Sequence, residues 1–123
     1  MAKGRILIIN DDPDIVKAIS PILRARNYTV NTASGGEEGL ERARRDHPNL
    51  ILLETELPDI SGYDTCTQLK SDRTTRNIPV IMMSANGHSD SVVRARSSGA
   101  SDYIVKPFNL FTLLGKLRRF LED

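Results

Sequence analysis

The strongest constraint on the fold is a short apolar segment, Leu50-Ile51-Leu52-Leu53, that runs directly into Glu54. An apolar run of this length between turn signals is typical of a strand buried on both faces, as in the centre of a parallel sheet. Because an unpaired carboxylate is costly to bury, Glu54 is expected where the strand emerges, at its C-terminal end. That end is the edge at which open α/β sheets place their ligands.

Four more segments have strand character, and each of the five is followed by a segment whose apolar residues recur at helical spacing. The predicted strands are Arg5–Asn10, Tyr28–Ala33, Asn49–Glu54, Pro79–Ser84 and Asp102–Lys106. This βα order, repeated five times, predicts a single α/β domain over residues 1–123 with helices on both faces of a parallel sheet. The doubly wound strand order 2-1-3-4-5 suits this length, with the second strand near an edge.

Two local signals predict how particular helices begin and end. Ser34 and Glu37 have the spacing of a capping box, which predicts reciprocal side-chain caps at the start of the second helix. Gly99 is placed to end the fourth helix in the left-handed conformation. Met82 and Met83 are expected to point into the core on opposite sides of the fourth strand.

Composition excludes several classes of function. The chain is 27% charged and 39% hydrophobic, with a net charge of +1, so charge gives no case for binding nucleic acid or an anionic membrane. No apolar run approaches the ~20 residues of a membrane span. Cys66 is the single cysteine, which excludes an internal disulfide. These features predict a cytoplasmic domain.

Polar side chains follow four of the predicted strands at the point where each strand ends. They are Asn10, Asp11, Asp12, Glu54, Ser84 and Lys106. Strand ends can be polar simply because loops are, but here both signs of charge and a hydroxyl converge on one edge. Carboxylates in this position suit Mg²⁺, which prefers oxygen ligands. A lysine and a hydroxyl beside them suit a phosphoryl group or another carboxylate.

Motifs along the whole chain resemble the receiver domains of two-component response regulators. They are Ile6–Pro13, Leu52–Asp59 with Ser61-Gly62, Val80–Ala85 and Gly99–Phe108. The resemblance implies a flavodoxin-like fold and a Mg²⁺-dependent switch, in which an aspartate ending the third strand accepts a phosphoryl group from a histidine kinase. It also implies that a histidine kinase or a downstream effector protein binds the face formed by the fourth helix, fifth strand and fifth helix.

The resemblance assigns roles to individual positions. Asp11 matches a direct metal ligand, and Glu56 matches the residue that offers its backbone carbonyl to the metal. Ser84 matches the switch hydroxyl, and Tyr103 matches the switch aromatic residue. Lys106 matches the lysine that pairs with the phosphoryl group or the acceptor carboxylate, and its bond to Pro107 is expected to be cis.

Two departures from the family pattern affect the predicted chemistry. Glu54 stands at the phosphoacceptor position, and its carboxylate lies one methylene further out, whereas a misplacement of about 1 Å can cost roughly 10²-fold in rate. Asn10 stands at the first acidic position and removes one negative charge. With Asp11 and Glu54 as the main ligands and Asn10 and Asp12 beside them, the predicted Mg²⁺ site is weak or absent.

These departures favour a receiver that works without phosphorylation, with Glu54 partly mimicking the phosphorylated state by reaching toward Lys106 and Ser84. The main alternative is a working Mg²⁺-dependent receiver that is modified at another carboxylate, such as Asp11 or Asp59. A Mg²⁺-dependent phosphohydrolase is disfavoured because no aspartate remains at a strand end in the role of nucleophile. The chain is therefore predicted to be a signalling module and not an enzyme.

Overall fold

The computed structural model describes residues 4–121 as five β-strands alternating with five α-helices. The strands are β1 (Gly4–Ile9), β2 (Tyr28–Ala33), β3 (Leu50–Glu54), β4 (Val80–Ser84) and β5 (Asp102–Val105). The helices are α1 (Pro13–Ala25), α2 (Gly36–Asp46), α3 (Gly62–Ser71), α4 (Ser89–Ser97) and α5 (Leu110–Leu121). Residues 1–3 and 122–123 of the predicted domain lie outside the described part of the chain.

The strands form one parallel sheet in the order β2-β1-β3-β4-β5. This order confirms the predicted flavodoxin-like, doubly wound architecture, with β2 at an edge. β3 lies in the centre, where its four apolar residues are fully buried. β1 and β5 each end one residue earlier than predicted, so Asn10 and Lys106 lie just beyond their strands. The ends of β1, β3 and β5 therefore present polar groups at one edge of the sheet.

Alternate residues of each strand supply two core layers, one on each face of the sheet. One layer includes Ile8, Leu52 and Met83 and packs against α1 and α5. The other includes Ile9, Leu53 and Met82 and packs against α2 and α3. The predicted division of the two methionines is confirmed. Full burial of each large apolar side chain contributes about 1.5–3 kcal/mol, so the two layers fix the positions of the strand ends.

The structure shows two side-chain caps that were not predicted, and it confirms one of the two predicted helix ends. Asp12 caps α1 through Asp14 N at 2.9 Å, and Ser61 caps α3 through Asp64 N at 3.0 Å. Gly99 follows α4 with a φ of 102°, which confirms the predicted left-handed cap. The prediction of a capping box at the start of α2 is wrong.

The start of α2 receives its cap from a distant loop. Gly35 is the N-cap residue and supplies no side chain, while Ser34 donates from its backbone nitrogen and its hydroxyl to Glu38 Oε1 at 2.9 and 3.2 Å. Asp59 accepts hydrogen bonds from Gly36 N at 2.8 Å and Glu37 N at 2.9 Å. The local capping box does not form because this carboxylate satisfies the first helical N–H groups.

The helices offer no bilayer-spanning segment within residues 4–121, since none of them combines the necessary length with a sufficiently apolar sequence.

Candidate functional site

Glu54 ends the central strand with its side chain inside the protein. The residue is 6% exposed. Its Oε1 atom accepts a hydrogen bond from Lys106 Nζ, and its Oε2 atom accepts from Thr55 N at 3.0 Å and Glu56 N at 3.4 Å. Both carboxylate oxygens therefore have donors within the protein, which allows a charge to be buried at this position.

Lys106 reaches Glu54 from the loop that follows β5. Its side chain is 22% exposed and forms an ion pair with the Glu54 carboxylate. The peptide bond from Lys106 to Pro107 is cis, as the resemblance predicted. The structure thus brings together the lysine and the carboxylate that the sequence placed at the ends of two different strands.

Ser84 and Tyr103 contact each other and also share a partner in the loop after β4. Ser84 Oγ accepts a hydrogen bond from Asn86 N at 3.0 Å, and the Tyr103 hydroxyl donates to Asn86 O at 2.6 Å. Tyr103 is half-buried, and this burial raises the pKa of its phenol. Within residues 4–121, side-chain hydrogen bonds join Ser84 to Asn86 and Tyr103, and its partnership with Glu54 stays a prediction.

Asn10, Asp11 and Asp12 line the other side of the cleft. Asn10 is 4% exposed, and its Oδ1 accepts from Asp12 N at 2.9 Å. This bond orients the amide nitrogen of Asn10, which is buried and has no hydrogen-bond partner within residues 4–121. Asp12 is occupied as the cap of α1, while the Asp11 carboxylate is exposed.

The cleft has an open volume of about 340 Å³, and its lining includes Asn10, Asp11, Asp12, Glu54, Glu56 and Lys106. Within the described chain, no three acidic, histidine or cysteine side chains converge as a group that could hold a metal ion. The Glu54 carboxylate oxygens accept from Lys106 and from two backbone N–H groups. The Asn10 atom without a partner within residues 4–121 is its amide nitrogen, which is a hydrogen-bond donor. Mg²⁺ is usually held by one or two carboxylates and several waters, and Asp11 and Asp12 are the carboxylates that line this cleft with Glu54 and Glu56.

Asp59, which the sequence offered only as an alternative acceptor, has a capping role in this region that the sequence did not indicate. It lies in the loop between β3 and α3, and its two oxygens hold the start of α2. The hydrogen bonds from the backbone of Glu37 and Gly36 lower the pKa of the Asp59 carboxyl from 3.8 to about 2. Adjacent glycines at the start of a helix signal a close approach, but they do not reveal which carboxylate makes it.

The fold and this edge cluster define a doubly wound, flavodoxin-like α/β domain with an acidic cleft at the carboxyl ends of its strands. The sequence profile of the response regulator receiver domain matches residues 6–118, which is most of the chain. The chain belongs to the response regulator receiver domain family. Members of this family are signalling modules of two-component systems and not typical enzymes.

Relatives with curated functions support this assignment. The DNA-binding dual master transcriptional regulator RpaA of Synechocystis sp. is 38% identical over 118 residues, which cover 96% of this chain and 49% of that protein. The response regulator PleD of Caulobacter vibrioides is 38% identical over 120 residues, which cover 95% of this chain and 26% of that protein. The chain therefore spans half or less of the length of these two relatives.

Solved structures share the whole fold. A putative response regulator from Chloroflexus aurantiacus superposes with a TM-score of 0.92 at 28% identity, covering 98% of both chains. The receiver domain of the sensor histidine kinase PA1611 from Pseudomonas aeruginosa superposes with a TM-score of 0.90 at 27% identity, again covering 98% of both chains. That receiver domain was solved with a magnesium ion coordinated in its active-site cleft.

Proposed function

We propose that this chain is an atypical receiver domain that signals through protein–protein contacts without being phosphorylated. The observation that carries the proposal is the position of the Glu54 carboxylate, which is buried and hydrogen-bonded through both oxygens to Lys106 and to the backbone of the following turn. A carboxylate held in this way is a poor nucleophile, because attack on a phosphoryl donor requires a free oxygen with precise placement.

Glu54 supplies part of what a phosphoryl group would supply. Lys106, the residue matched to the phosphoryl-binding lysine, already has an anionic partner on the central strand. The glutamate carries one negative charge, whereas a phosphoryl group carries nearly two. The mimicry is therefore partial.

We infer that Mg²⁺ binds weakly or not at all in this cleft. Glu54 is committed to Lys106, Asp12 to the α1 cap, and Asn10 presents its amide nitrogen. Asp11 and the backbone carbonyl of Glu56 are the donors that a cation would still have to recruit. A shortage of anionic ligands of this kind lowers affinity for a cation that gives up its water reluctantly.

The partner surface that we propose is formed by α4, β5 and α5. It carries three exposed hydrophobic side chains, Val93 at 61%, Val105 at 40% and Phe111 at 85% exposure. Exposed apolar side chains on neighbouring elements are common where a protein binds a partner. A histidine kinase or a downstream effector protein is the expected partner, with Ser84 and Tyr103 linking this surface to the cleft.

The alternative is phosphorylation at another carboxylate, and the geometry separates the two candidates for that role. Asp59 uses both oxygens to cap α2, which argues against it as an acceptor. Asp11 is exposed and lines the same cleft as Lys106, so it is the carboxylate to which the alternative now points.

Treatment with acetyl phosphate and Mg²⁺, read by intact-protein mass, tests the proposal. We expect the wild type to gain no phosphoryl adduct. Glu54→Asp, combined with Asn10→Asp, is expected to gain one, because these changes restore the shorter acceptor and the missing charge. A stable adduct on the wild type would overturn the proposal, and peptide mapping of that adduct to Asp11 would establish the alternative.

A further inference from the structure

Helix α4 carries part of the proposed partner surface, yet the protein core holds it weakly. It has nine residues, and among its described side chains Ala95 alone is buried. Its ends are fixed by other means. Asn86, in the loop before it, is held by Ser84 and Tyr103, and Gly99 closes its C-terminal end. A further contact is needed to keep the middle of α4 from rotating about the helix axis.

A cation–π contact provides a restraint at that point. The Arg94 guanidinium carbon lies 4.1 Å from the centroid of the Tyr63 ring, within the range of a favourable stack. Arg94 belongs to α4, and Tyr63 belongs to the first turn of α3. Both residues line a cleft that also includes Ser84 and Asn86.

Tyr63 is itself placed by the end of β3. The neighbouring residue, Gly62, donates its backbone N–H to Thr55 O at 2.8 Å. A Cβ atom at position 62 would lie 2.1 Å from the Glu54 carbonyl oxygen, so the backbone of α3 starts in direct contact with the strand that carries the site. The Tyr63 ring is therefore a fixed reference point, and Arg94 ties α4 to it.

The direction of Arg94 determines what α4 shows to solvent. Successive residues are about 100° apart around a helix axis. With Ala95 turned inward and Arg94 turned toward α3, Val93 is turned outward and is 61% exposed. A rotation of α4 that released Arg94 would also change the direction in which Val93 faces solvent.

We propose that the Tyr63–Arg94 stack is the rotational anchor of α4 and thereby determines which side chains compose the partner surface. This inference rests on the proposed function only for the identity of that surface. The stack joins the end of β3 to α4 through Gly62 and Tyr63, and the Tyr63 hydroxyl also contacts that of Tyr103, which donates to Asn86. Tyr63 and Arg94 are positioning residues in this arrangement.

Amide hydrogen exchange of α4 in the full chain, without phosphodonor or partner, tests the anchor. Arg94→Gln removes the cation, and we expect the amides of residues 93–96 to exchange about two- to fivefold faster, as loss of an exposed cation–π contact implies. Arg96→Gln is the matched control, since Arg96 lies on the same helix without a ring contact within residues 4–121, and it should leave exchange unchanged. Arg94→Lys keeps a cation without the planar guanidinium, so its exchange should lie between those of the wild type and Arg94→Gln.

The role of the Tyr63 ring is tested by the same hydrogen-exchange measurement. Tyr63→Phe keeps the stacking face and should preserve protection of α4, whereas Tyr63→Leu should match Arg94→Gln. The double variant Tyr63→Leu/Arg94→Gln should exchange no faster than either single variant, because both remove the same contact.

Equal exchange in Arg94→Gln and Arg96→Gln, or additive effects in the double variant, would each overturn the anchor. Thermal unfolding of each variant establishes that it is folded. Because no phosphorylation enters the measurement, a phosphoryl adduct on the wild type would refute the proposed function and leave this result intact.

Discussion

At the scale of single residues, Glu54 and Lys106 depend on each other. The Glu54 side chain is 7% exposed and that of Lys106 is 22% exposed, so neither charge is fully hydrated. Removing one member of a buried pair leaves the other without compensation, which is more damaging than replacing both. The pair was predictable, because each residue directly follows an apolar strand and parallel strands end at one edge.

Lys106→Met should lower the free energy of unfolding by about 2–4 kcal/mol, toward the lower part of the range for buried pairs because Lys106 keeps some contact with water. Urea unfolding measures the change. The double variant Glu54→Gln/Lys106→Met should lose less than the sum of the two single variants, since it leaves no buried charge. Strict additivity would show that the two side chains do not stabilise each other.

At the scale of elements, α2 starts at two glycines and takes its cap from the loop after β3. The sequence predicted the helix but assigned the cap to Ser34 and Glu37, which are close in the chain. The contact that forms joins Asp59 to Gly36, 23 residues apart. Helical periodicity carries no information about such a contact, because it depends on how β3 and α2 are placed by the sheet.

The Asp59 cap predicts how stability responds to acid. The folded-state pKa of about 2 lies below the ordinary value of 3.8, so the folded protein binds this proton less readily than the unfolded chain does. The contribution is therefore complete above about pH 4 and is lost as the pH falls through about 2. Asp59→Asn should flatten the stability profile in that window.

Urea unfolding at a series of pH values measures this effect. Asp64→Asn is the control, because it removes an exposed carboxylate near the same edge without touching the start of α2. Identical pH profiles for Asp59→Asn and the wild type would show that the cap contributes nothing to acid stability.

Two glycines in helices are expected to respond in opposite ways to alanine. At Gly62 a Cβ atom would meet backbone atoms, with the Glu54 carbonyl oxygen at 2.1 Å, whereas at Gly115 nothing lies within 4 Å. Gly62→Ala should destabilise the domain by about 1–3 kcal/mol or more and displace α3 from β3. Gly115→Ala should stabilise it by about 0.5–1 kcal/mol, because alanine is the better helix former. Thermal unfolding compares the two, and a shift in the same direction for both would contradict this interpretation.

At the scale of the whole molecule, the net charge of +1 hides an uneven placement of acidic and basic residues along the helices. Acidic residues occupy the first turns of four helices: Asp14, Glu37, Glu38, Asp64 and Asp90. Basic residues occupy the last turns of all five: Arg24, Arg44, Arg45, Lys70, Arg94, Arg96, Arg118 and Arg119. Both placements complement the helix dipoles, and because the helices run alike, the edge that carries Glu54 is the acidic one.

The architecture as a whole followed from the sequence more closely than the site did. Apolar strands alternating with amphipathic helices allow few arrangements, and the observed strand order is the predicted one. The predicted residues did reach one edge, but their pairing depends on distances of a few ångströms. Two such pairings are the hydrogen bond between Ser84 and Asn86 and the stack of Arg94 on Tyr63. No periodicity in the chain specifies them.

The ion pair between Glu54 and Lys106 has a consequence for timing under the proposed function. A phosphoryl group has a lifetime, and its loss returns a switch to rest within a period set by hydrolysis. A carboxylate that is part of the side chain is present from the moment the chain folds. The strength of such a signal would follow the number of copies in the cell, and its duration would follow the rates of synthesis and degradation.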